Sequence, residues 1–399
     1  MKIGILKLCV LLFLSNSILG QNKWRFAVVG DTHVGSSDTI AEMVPYLLAD
    51  SVDLVLLPGD IVEAGKACSG DQLLAQLTAW KELMQPLYDE GIGVYSIRGN
   101  HEADAHDNLN VWNSFFSGSN ALPQNGPSAE QNLTYSFINK NALFIMLDNY
   151  VNIHTVNQEW LNLQFEENNQ PNVFVLGHEQ AFKVFHSDCL DDSVLQRNTF
   201  WQSLIDNRVK VYFCGHDHFF DVARIGNGDG NEDNDVYQYN IGTGGGWLMS
   251  QFSNYNGNNT PFSPSRLHHE TEHGYALVEV SDDSASGSDV TITWKMRVWN
   301  STTSSYQYTA TSSLIQYSTS APTSVNETSI EGFDIYPNPA SSYITIAGFS
   351  GNVRIYNMLG RLMWNGLIQE SKTLDVSQFQ AGIYIVQCDN LSKRVMVLQ

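Results

Sequence analysis

Between Trp24 and about Ile205 the chain alternates short apolar runs with longer stretches of helical character. The runs Phe26–Gly30, Leu54–Leu57, Val94–Ile97, Leu143–Leu147, Val173–Leu176 and Val211–Phe213 have strand length and β-branched or aromatic content, so they predict strands. Asp71–Leu87, Asn157–Glu166 and Ser193–Ile205 predict helices between them. Such alternation predicts an α/β core. From Tyr237 to about Tyr317 only strand signals remain, as in Tyr275–Val280 and Val290–Val298. These are expected to finish a second sheet packed on the first.

The stretch from Ser301 to Ser329 is rich in Ser and Thr, and its second half, from about Ser318, reads as a linker. Beyond Gly332 a small all-β unit is predicted from Ile335, Tyr343–Ile346, Val353–Tyr356, Leu374–Val376, Ile383–Gln387 and Arg394–Leu398, with turns at Pro337–Pro339 and Leu359–Gly360. It has few groups suited to chemistry, which points to addressing or attachment. At the other end, Lys2 and Lys7 precede the apolar stretch Leu8 to Leu14, and the small or polar residues Ser15 to Gly20 follow. That is the pattern of an export leader cleaved after Gly20, with an uncleaved anchor as the alternative. The expected division is a leader at 1–20, a main domain at 21–317, a linker at 318–330 and a small β-domain at 331–399.

Charge narrows the partners. With 42 acidic and 21 basic residues the net charge is -21, which argues against a broad cationic surface for nucleic acid or anionic lipid. No extended nucleic-acid groove is expected. Bound metal ions can supply positive charge that side chains lack, so a phosphate-bearing substrate stays open. No run reaches the roughly 18 continuous apolar residues of a membrane helix, and no transmembrane segment is expected. Export permits a disulfide between Cys68 and Cys189, both in polar loops, though spacing alone does not establish it. Cys214, beside the apolar run at Val211, is expected to be a buried thiol, and Cys388 to lie outside any disulfide.

Five short motifs appear in order, most of them directly after a predicted strand: Gly30-Asp31-Thr32-His33, Gly59-Asp60-Ile61-Val62-Glu63, Gly99-Asn100-His101-Glu102, Gly177-His178 and Gly215-His216-Asp217-His218. Each puts oxygen or imidazole groups at the C-terminal end of a strand, where α/β sheets present their sites. Singly, Asp-x-His and Gly-Asp are as readily structural. Gly-His-Asp-His is stronger, because imidazoles at i and i+2 leave a strand end on the same side. Carboxylate, amide oxygen and imidazole together suit manganese, iron or zinc.

The ordered set resembles the calcineurin-like metallophosphoesterase superfamily over roughly residues 24 to 317. The resemblance implies an α/β/β/α two-sheet sandwich holding two divalent or trivalent metal ions. One ion would be held by Asp31, His33, Asp60 and His218, the other by Asp60, Asn100, His178 and His216, with Asp60 shared. It further implies phosphate-ester hydrolysis by a hydroxide bridging the two ions, in line and without a covalent enzyme intermediate. His101 is then the candidate general acid. Glu63, where relatives often carry Asp, would orient His101 or support a ligand, or else be a solvated loop carboxylate. Asn100 and Arg98 are candidate substrate contacts, with pairing to an acidic neighbour the alternative for Arg98. Purple acid phosphatases would show Gly at His33 and Tyr at Glu63, so an iron–tyrosinate centre is not expected. The large nucleotide-binding domain of bifunctional 5′-nucleotidases is not expected either.

Other features are open. Asn227 to Asp235 is dense in oxygens and is a calcium loop or a solvated one. Gly242 to Gly246, followed by Trp247, would approach the substrate or turn the chain between strands. His268, His269 and His273 are expected in a polar surface loop. The loops at 63–70, 103–130, 186–192 and 247–272 are expected to choose the substrate. The segment from about 331 to 399 resembles the Por (type IX) secretion sorting domain of Bacteroidetes, through Tyr336-Pro337-Asn338-Pro339, Val353-Arg354-Ile355-Tyr356-Asn357, Gly360, Gly382-Ile383-Tyr384 and the Lys393–Leu398 end. That resemblance implies the type IX machinery as partner, followed by release or surface attachment; a carbohydrate-binding β-sandwich is the alternative. The leading expectation is a secreted or cell-surface phosphoesterase acting on mono- or diesters. Its rivals are an extracellular nuclease or nucleotide phosphohydrolase, and a surface binding module on a degenerate phosphatase scaffold.

Overall fold

In the computed structural model of the protein, which describes residues 23–250, 254–281, 287–319, 333–357, 361–380, 382–388 and 391–397, the apolar runs become strands. The leader read at 1–20 and most of the linker read at 318–330 lie outside the described residues, as do Gly360 and Leu398. Two compact units divide between Pro322 and Thr323.

In the larger unit the strands are β1 (Lys23–Val28), β2 (Leu54–Leu57), β3 (Gly93–Ser96), β4 (Tyr135–Asn139), β5 (Ala142–Leu147), β6 (Asn172–Gly177) and β7 (Val211–Cys214). They continue as β8 (Phe220–Gly226), β9 (Val236–Ile241), β10 (Ser263–Glu270), β11 (Gly274–Ser281), β12 (Ser288–Asn300) and β13 (Ser305–Thr319). The helices are α1 (Thr39–Ala49), α2 (Gly70–Asp89), α3 (Asn100–Asp104), α4 (Asn108–Phe115), α5 (Gln158–Glu166) and α6 (Val194–Asp206). One sheet runs β13-β12-β11-β1-β2-β3 and the other β10-β8-β9-β7-β6-β5-β4.

The period-two alternation of strand side chains sets the layers. On β5, Phe144 and Met146 enter the core between the sheets, while Leu143, Ile145 and Leu147 enter the core under α5 and α6. On β7, Val211 and Phe213 take the first core, Tyr212 and Cys214 the second. Aromatic rings join the sheets: Phe26 meets Phe144 at 5.1 Å and Phe174 at 4.8 Å, and Phe220 stacks on Trp294 at 4.1 Å. The outer side of the first sheet is closed by helices such as α2, whose Leu73, Leu77, Trp80, Met84 and Leu87 fall on one face at helical spacing and are all buried. Ser69 begins that helix by accepting from the Gln72 backbone N–H, while the Gln72 side chain accepts from the Ser69 N–H. The α/β/β/α architecture is the one read from the sequence.

One part of that reading is corrected. The late strands do not all finish the second sheet: β9 and β10 do, whereas β11, β12 and β13 extend the first. β11 pairs antiparallel with β1 from Lys23↔Ser281 to Val28↔Ala276. Both sheets have an inner apolar face, so side-chain pattern alone does not say which edge a strand joins. Helix α1 was not read, because Pro45 lies within it.

In the smaller unit β14 (Asp334–Tyr336), β15 (Tyr343–Ala347), β16 (Gly351–Asn357), β17 (Leu362–Ile368), β18 (Ser371–Asp375), β19 (Gly382–Cys388) and β20 (Leu391–Val397) form sheets β14-β15-β18 and β17-β16-β19-β20. Ile344, Ile346, Val353, Ile355, Val386 and Val395 share their core. Strand β17 escaped the sequence reading because Asn365 and Gly366 interrupt its apolar pattern. Among the described residues, no helix is long and apolar enough to cross a membrane.

Arg98, at the end of β3, shows what ties the two sheets beneath the strand ends. Its buried guanidinium meets Asp148, after β5, through Nε at 2.8 Å and Nη2 at 3.0 Å. Asp148 also accepts from the N–H groups of Tyr150 and Val151. Removing one partner of a buried pair strands the other charge, at a cost of about 3–5 kcal/mol. Asp148→Ala is therefore expected to lower the unfolding free energy by about that amount, measured by urea titration; a loss below about 1 kcal/mol would contradict this role.

Candidate metal centre

The five motifs converge at one edge of the sandwich, where β1, β2 and β3 of one sheet and β6 and β7 of the other end together. The chain leaves those strands in conformations that side chains rarely adopt: φ is 57° at Asp31, 46° at His33, 48° at Asp60 and 71° at His216. Each left-handed non-glycine residue costs on the order of 1–3 kcal/mol and persists where surrounding contacts over-determine it. Gly59 has φ 93°, and a Cβ there would meet His178 Nδ1 at 2.6 Å. Gly99 is tighter still, since a Cβ would lie 2.0 Å from Asp60 Oδ1.

The side chains form two overlapping clusters. Asp31, His33, Asp60 and His218 bring ligand-type atoms within 4.8 Å of one another, and so do Asp60, His178 and His216. Asp60 belongs to both, its Oδ2 lying 3.7 Å from His33 Nε2 and 3.3 Å from His178 Nε2. Asn100 completes the second, with Oδ1 3.1 Å from His178 Nε2 and 2.9 Å from His216 Nδ1. Asp31 accepts from the His216 N–H at 2.9 Å and stands 3.4 Å from His218 Nε2, which ties the first motif to the fifth.

The ring nitrogens facing away from the centre are held. The carbonyls of Pro58 and Trp247 lie 2.8 Å and 3.0 Å from Nδ1 of His178 and His218, and the Glu63 carboxylate lies 2.8 Å from Nδ1 of His33. A carbonyl only accepts, so Nδ1 of His178 and of His218 carries the hydrogen and Nε2 faces inward, as metal-binding imidazoles require. His33 Nε2 is buried and has no hydrogen-bond partner. The donor set therefore fits a pair of cations. The electrostatics agree. Burial raises the Asp60 carboxyl, but the His178, His101 and His33 imidazoles reverse this and hold it well below the usual range. Burial lowers His178, and Asp60 and then Asp31 more than reverse that, to about 10. A field that retains a proton so strongly also attracts a metal cation, which must displace it.

The remaining sequence candidates divide. His101 sits at the rim with its N–H on Asp60 Oδ1 at 2.9 Å and its Nδ1 against the Glu63 carbonyl. Burial lowers its pKa and the Asp60 charge more than restores it, for a net rise. Glu63 divides its work: the carbonyl meets His101, while the carboxylate meets His33 and the Ser36 hydroxyl, contacts that hold it down at about 2, with the His33 bond foremost. Arg98 is not brought to the centre; Asp148 and Asn108 use its guanidinium. His268 and His269 are on β10 instead of in a loop, and His269 meets the buried Asp221. Residues 228–233 are exposed and the loop is bonded within itself through Asn227, Asp229 and Asn234, while the buried Asp235 pairs with Arg224. Gly244 and Gly246 donate to the Gly30 and Asp31 carbonyls, so the glycine run packs on the first motif. Cys68, Cys189 and Cys214 are free, buried thiols and no Cys68–Cys189 disulfide forms. Cys388 is buried in the smaller unit.

Sequence reasoning missed several supports. The buried Glu102 accepts from the N–H groups of Gly99 (2.7 Å), Val62 (2.9 Å) and Asp60 (3.1 Å), clamping the second motif to the third. Burial and the nearby Asp60 charge push its carboxyl up to about 7. Its position three residues into the Gly99-initiated turn is a capping signal that could have revealed it. Asn149 accepts from the N–H groups of His178 and Glu179, and Asp217 from those of Phe185 and His186. No local pattern marks Asn149, and Asp217 lies inside the fifth motif without a sign of this supporting role.

Residues 25–220 match the family described as calcineurin-like phosphoesterase, a span that contains all five motifs. They are a calcineurin-like metallophosphoesterase domain. Residues 334–397 are a secretion system C-terminal sorting domain. The phosphoesterase domain is distantly homologous to purple acid phosphatases: purple acid phosphatase 23 of Arabidopsis thaliana is 25% identical over 220 residues, 49% of this chain and 47% of that protein. The chain thus spans about half the length of this curated relative. Among solved structures, PhoD superposes with a TM-score of 0.50 at 11% identity, covering 75% of this chain and 70% of PhoD, which shows the shared fold. Purple acid phosphatase PPD1 of yellow lupin (Lupinus luteus) gives a TM-score of 0.49 at 14% identity, covering 72% and 53%.

The contact at Gly99 yields a test in the phosphoesterase domain. Gly99→Ala must displace the Asp60 carboxylate that both clusters share. Metal affinity is expected to fall about 10–100-fold, read as metal bound per protein after equilibrium dialysis against a weak chelator, with circular dichroism confirming the fold. Unaltered affinity would refute the shared role of Asp60.

Proposed function

We propose that this chain is an exported phosphoesterase that hydrolyses phosphate mono- or diesters at a two-cation centre, with Asp60 shared between the cations. The observation that carries the reading is the reach of Asp60 Oδ2 to imidazoles of both clusters. Asp31, His33, Asp60 and His218 would hold one cation, and Asp60, Asn100, His178 and His216 the other. Manganese, iron or zinc suits such nitrogen and oxygen donors. When bound, the pair supplies a water of lowered pKa and neutralises charge on the phosphoryl oxygens. Glu63, Pro58 and Trp247 hold three of the imidazoles in place. His101 is the proton donor to the departing oxygen: the Glu63 carbonyl occupies its Nδ1 side, leaving Nε2 as the atom that delivers the proton. With Glu63 where purple acid phosphatases place their tyrosine, no tyrosinate is available at that position. The sorting domain supports passage through the type IX system, ending in release or surface attachment.

The deciding assay compares bis-(4-nitrophenyl) phosphate with the monoester in manganese, zinc and chelator. Turnover is expected to need metal and to fall by at least about 100-fold in Asp60→Asn; hydrolysis insensitive to both would overturn the proposal. Which ester is preferred separates diesterase from monoesterase. His101→Ala tests the proton donor. Loss of about 10²–10⁴-fold is expected for poor alkoxide leaving groups, and a much smaller loss for 4-nitrophenolate, which departs without a proton. Equal losses on both esters would rule out proton donation by His101.

A further inference from the structure

Trp247 stands out among the exposed apolar side chains. The residue is 89% exposed, more than any other large hydrophobic residue among those described. Single exposed hydrophobics are common on protein surfaces, and Leu195 or Leu367 need no further account. Trp247 differs in how its backbone is held. The Gly246 N–H donates to the Asp31 carbonyl at 2.9 Å, the Trp247 carbonyl lies 3.0 Å from His218 Nδ1, and the Met249 N–H donates to the His218 carbonyl at 2.9 Å. Three bonds within four residues thus lock this segment to two candidate ligands of one cation. The lock is steric as well: a Cβ on Gly246 would lie 2.7 Å from His218 Cε1 and 2.9 Å from His33 Cδ2. A rigid segment beside the centre therefore carries a free, flat aromatic face. Aromatic faces stack planar rings with little regard for ring substituents.

We infer that Trp247 is the platform on which the leaving group of the substrate stacks, and that the centre favours phosphate esters of ring-bearing alcohols, phenols or nucleosides. The inference rests on the esterase reading for the phosphoryl group and adds the class of the alcohol. A chain of this acidity offers an anionic polymer little charge attraction. Stacking by one ring fits a small ester with a single planar group.

The test is affinity for two non-hydrolysable phosphonates, measured by calorimetry on the metal-loaded full chain. Phenylphosphonate is expected to bind about tenfold tighter than methylphosphonate. Trp247→Ala should bring that ratio close to one, and Trp247→Phe should keep most of it. Equal affinity of the unaltered protein for the two ligands would overturn the platform. So would a parallel loss of both in Trp247→Ala, the mark of a merely structural residue, or a ratio that Trp247→Ala does not change. Hydrolysis of phenyl and methyl phosphate, assayed alongside, separates this inference from the esterase reading. Turnover without phenyl selectivity in binding leaves the esterase standing and removes the platform. Phenyl selectivity lost in Trp247→Ala, in a protein with no turnover, keeps the platform and removes the esterase.

Discussion

A single buried carboxylate has to serve two groups of imidazoles, and much of the surrounding structure follows from that demand. Asp60 is fully enclosed, and burial alone would raise its carboxyl pKa. The surrounding imidazoles keep it charged, and Asp60 in turn raises His178 and His101. These groups are stable together only at close range, which explains why glycines stand at positions 59 and 99. Any Cβ there would occupy the space of His178 or of the carboxylate itself.

Such crowding requires a rigid frame. Four of the candidate ligands hold left-handed backbone conformations, and conformations of that kind persist only under strong external constraint. Here the constraint is a layer of buried polar groups beneath the ligands. Glu102 gathers three N–H groups from two motifs, Asn149 holds the turn at His178, and Arg98 with Asp148 ties the strand ends of the two sheets. The aromatic interface between the sheets carries these attachments, with Phe26 against Phe144 and Phe174. Outside the ligand set, the Trp247 segment is bonded directly to the candidate ligands Asp31 and His218.

The two units divide their tasks. The smaller has an apolar core of its own and matches a sorting domain, and its role is one of delivery. Among the described residues, the candidate metal clusters are in the larger unit.

The sequence by itself determined the α/β alternation and the types and order of the candidate ligands, because each follows from local spacing: apolar runs of strand length, glycine at the turn, then a donor. His178 has the weakest motif, yet it falls into place because it too directly follows a strand. Tertiary structure decided what depends on contacts between distant segments. It sent β11 to the edge of β1 instead of the second sheet, and turned Arg98 toward Asp148. It also split Glu63 between His33 and His101, and kept Cys68 and Cys189 as separate thiols. None of these outcomes leaves a periodic trace, since a partner 50 or 250 residues away is selected by packing in three dimensions and not by the spacing of neighbours along the chain.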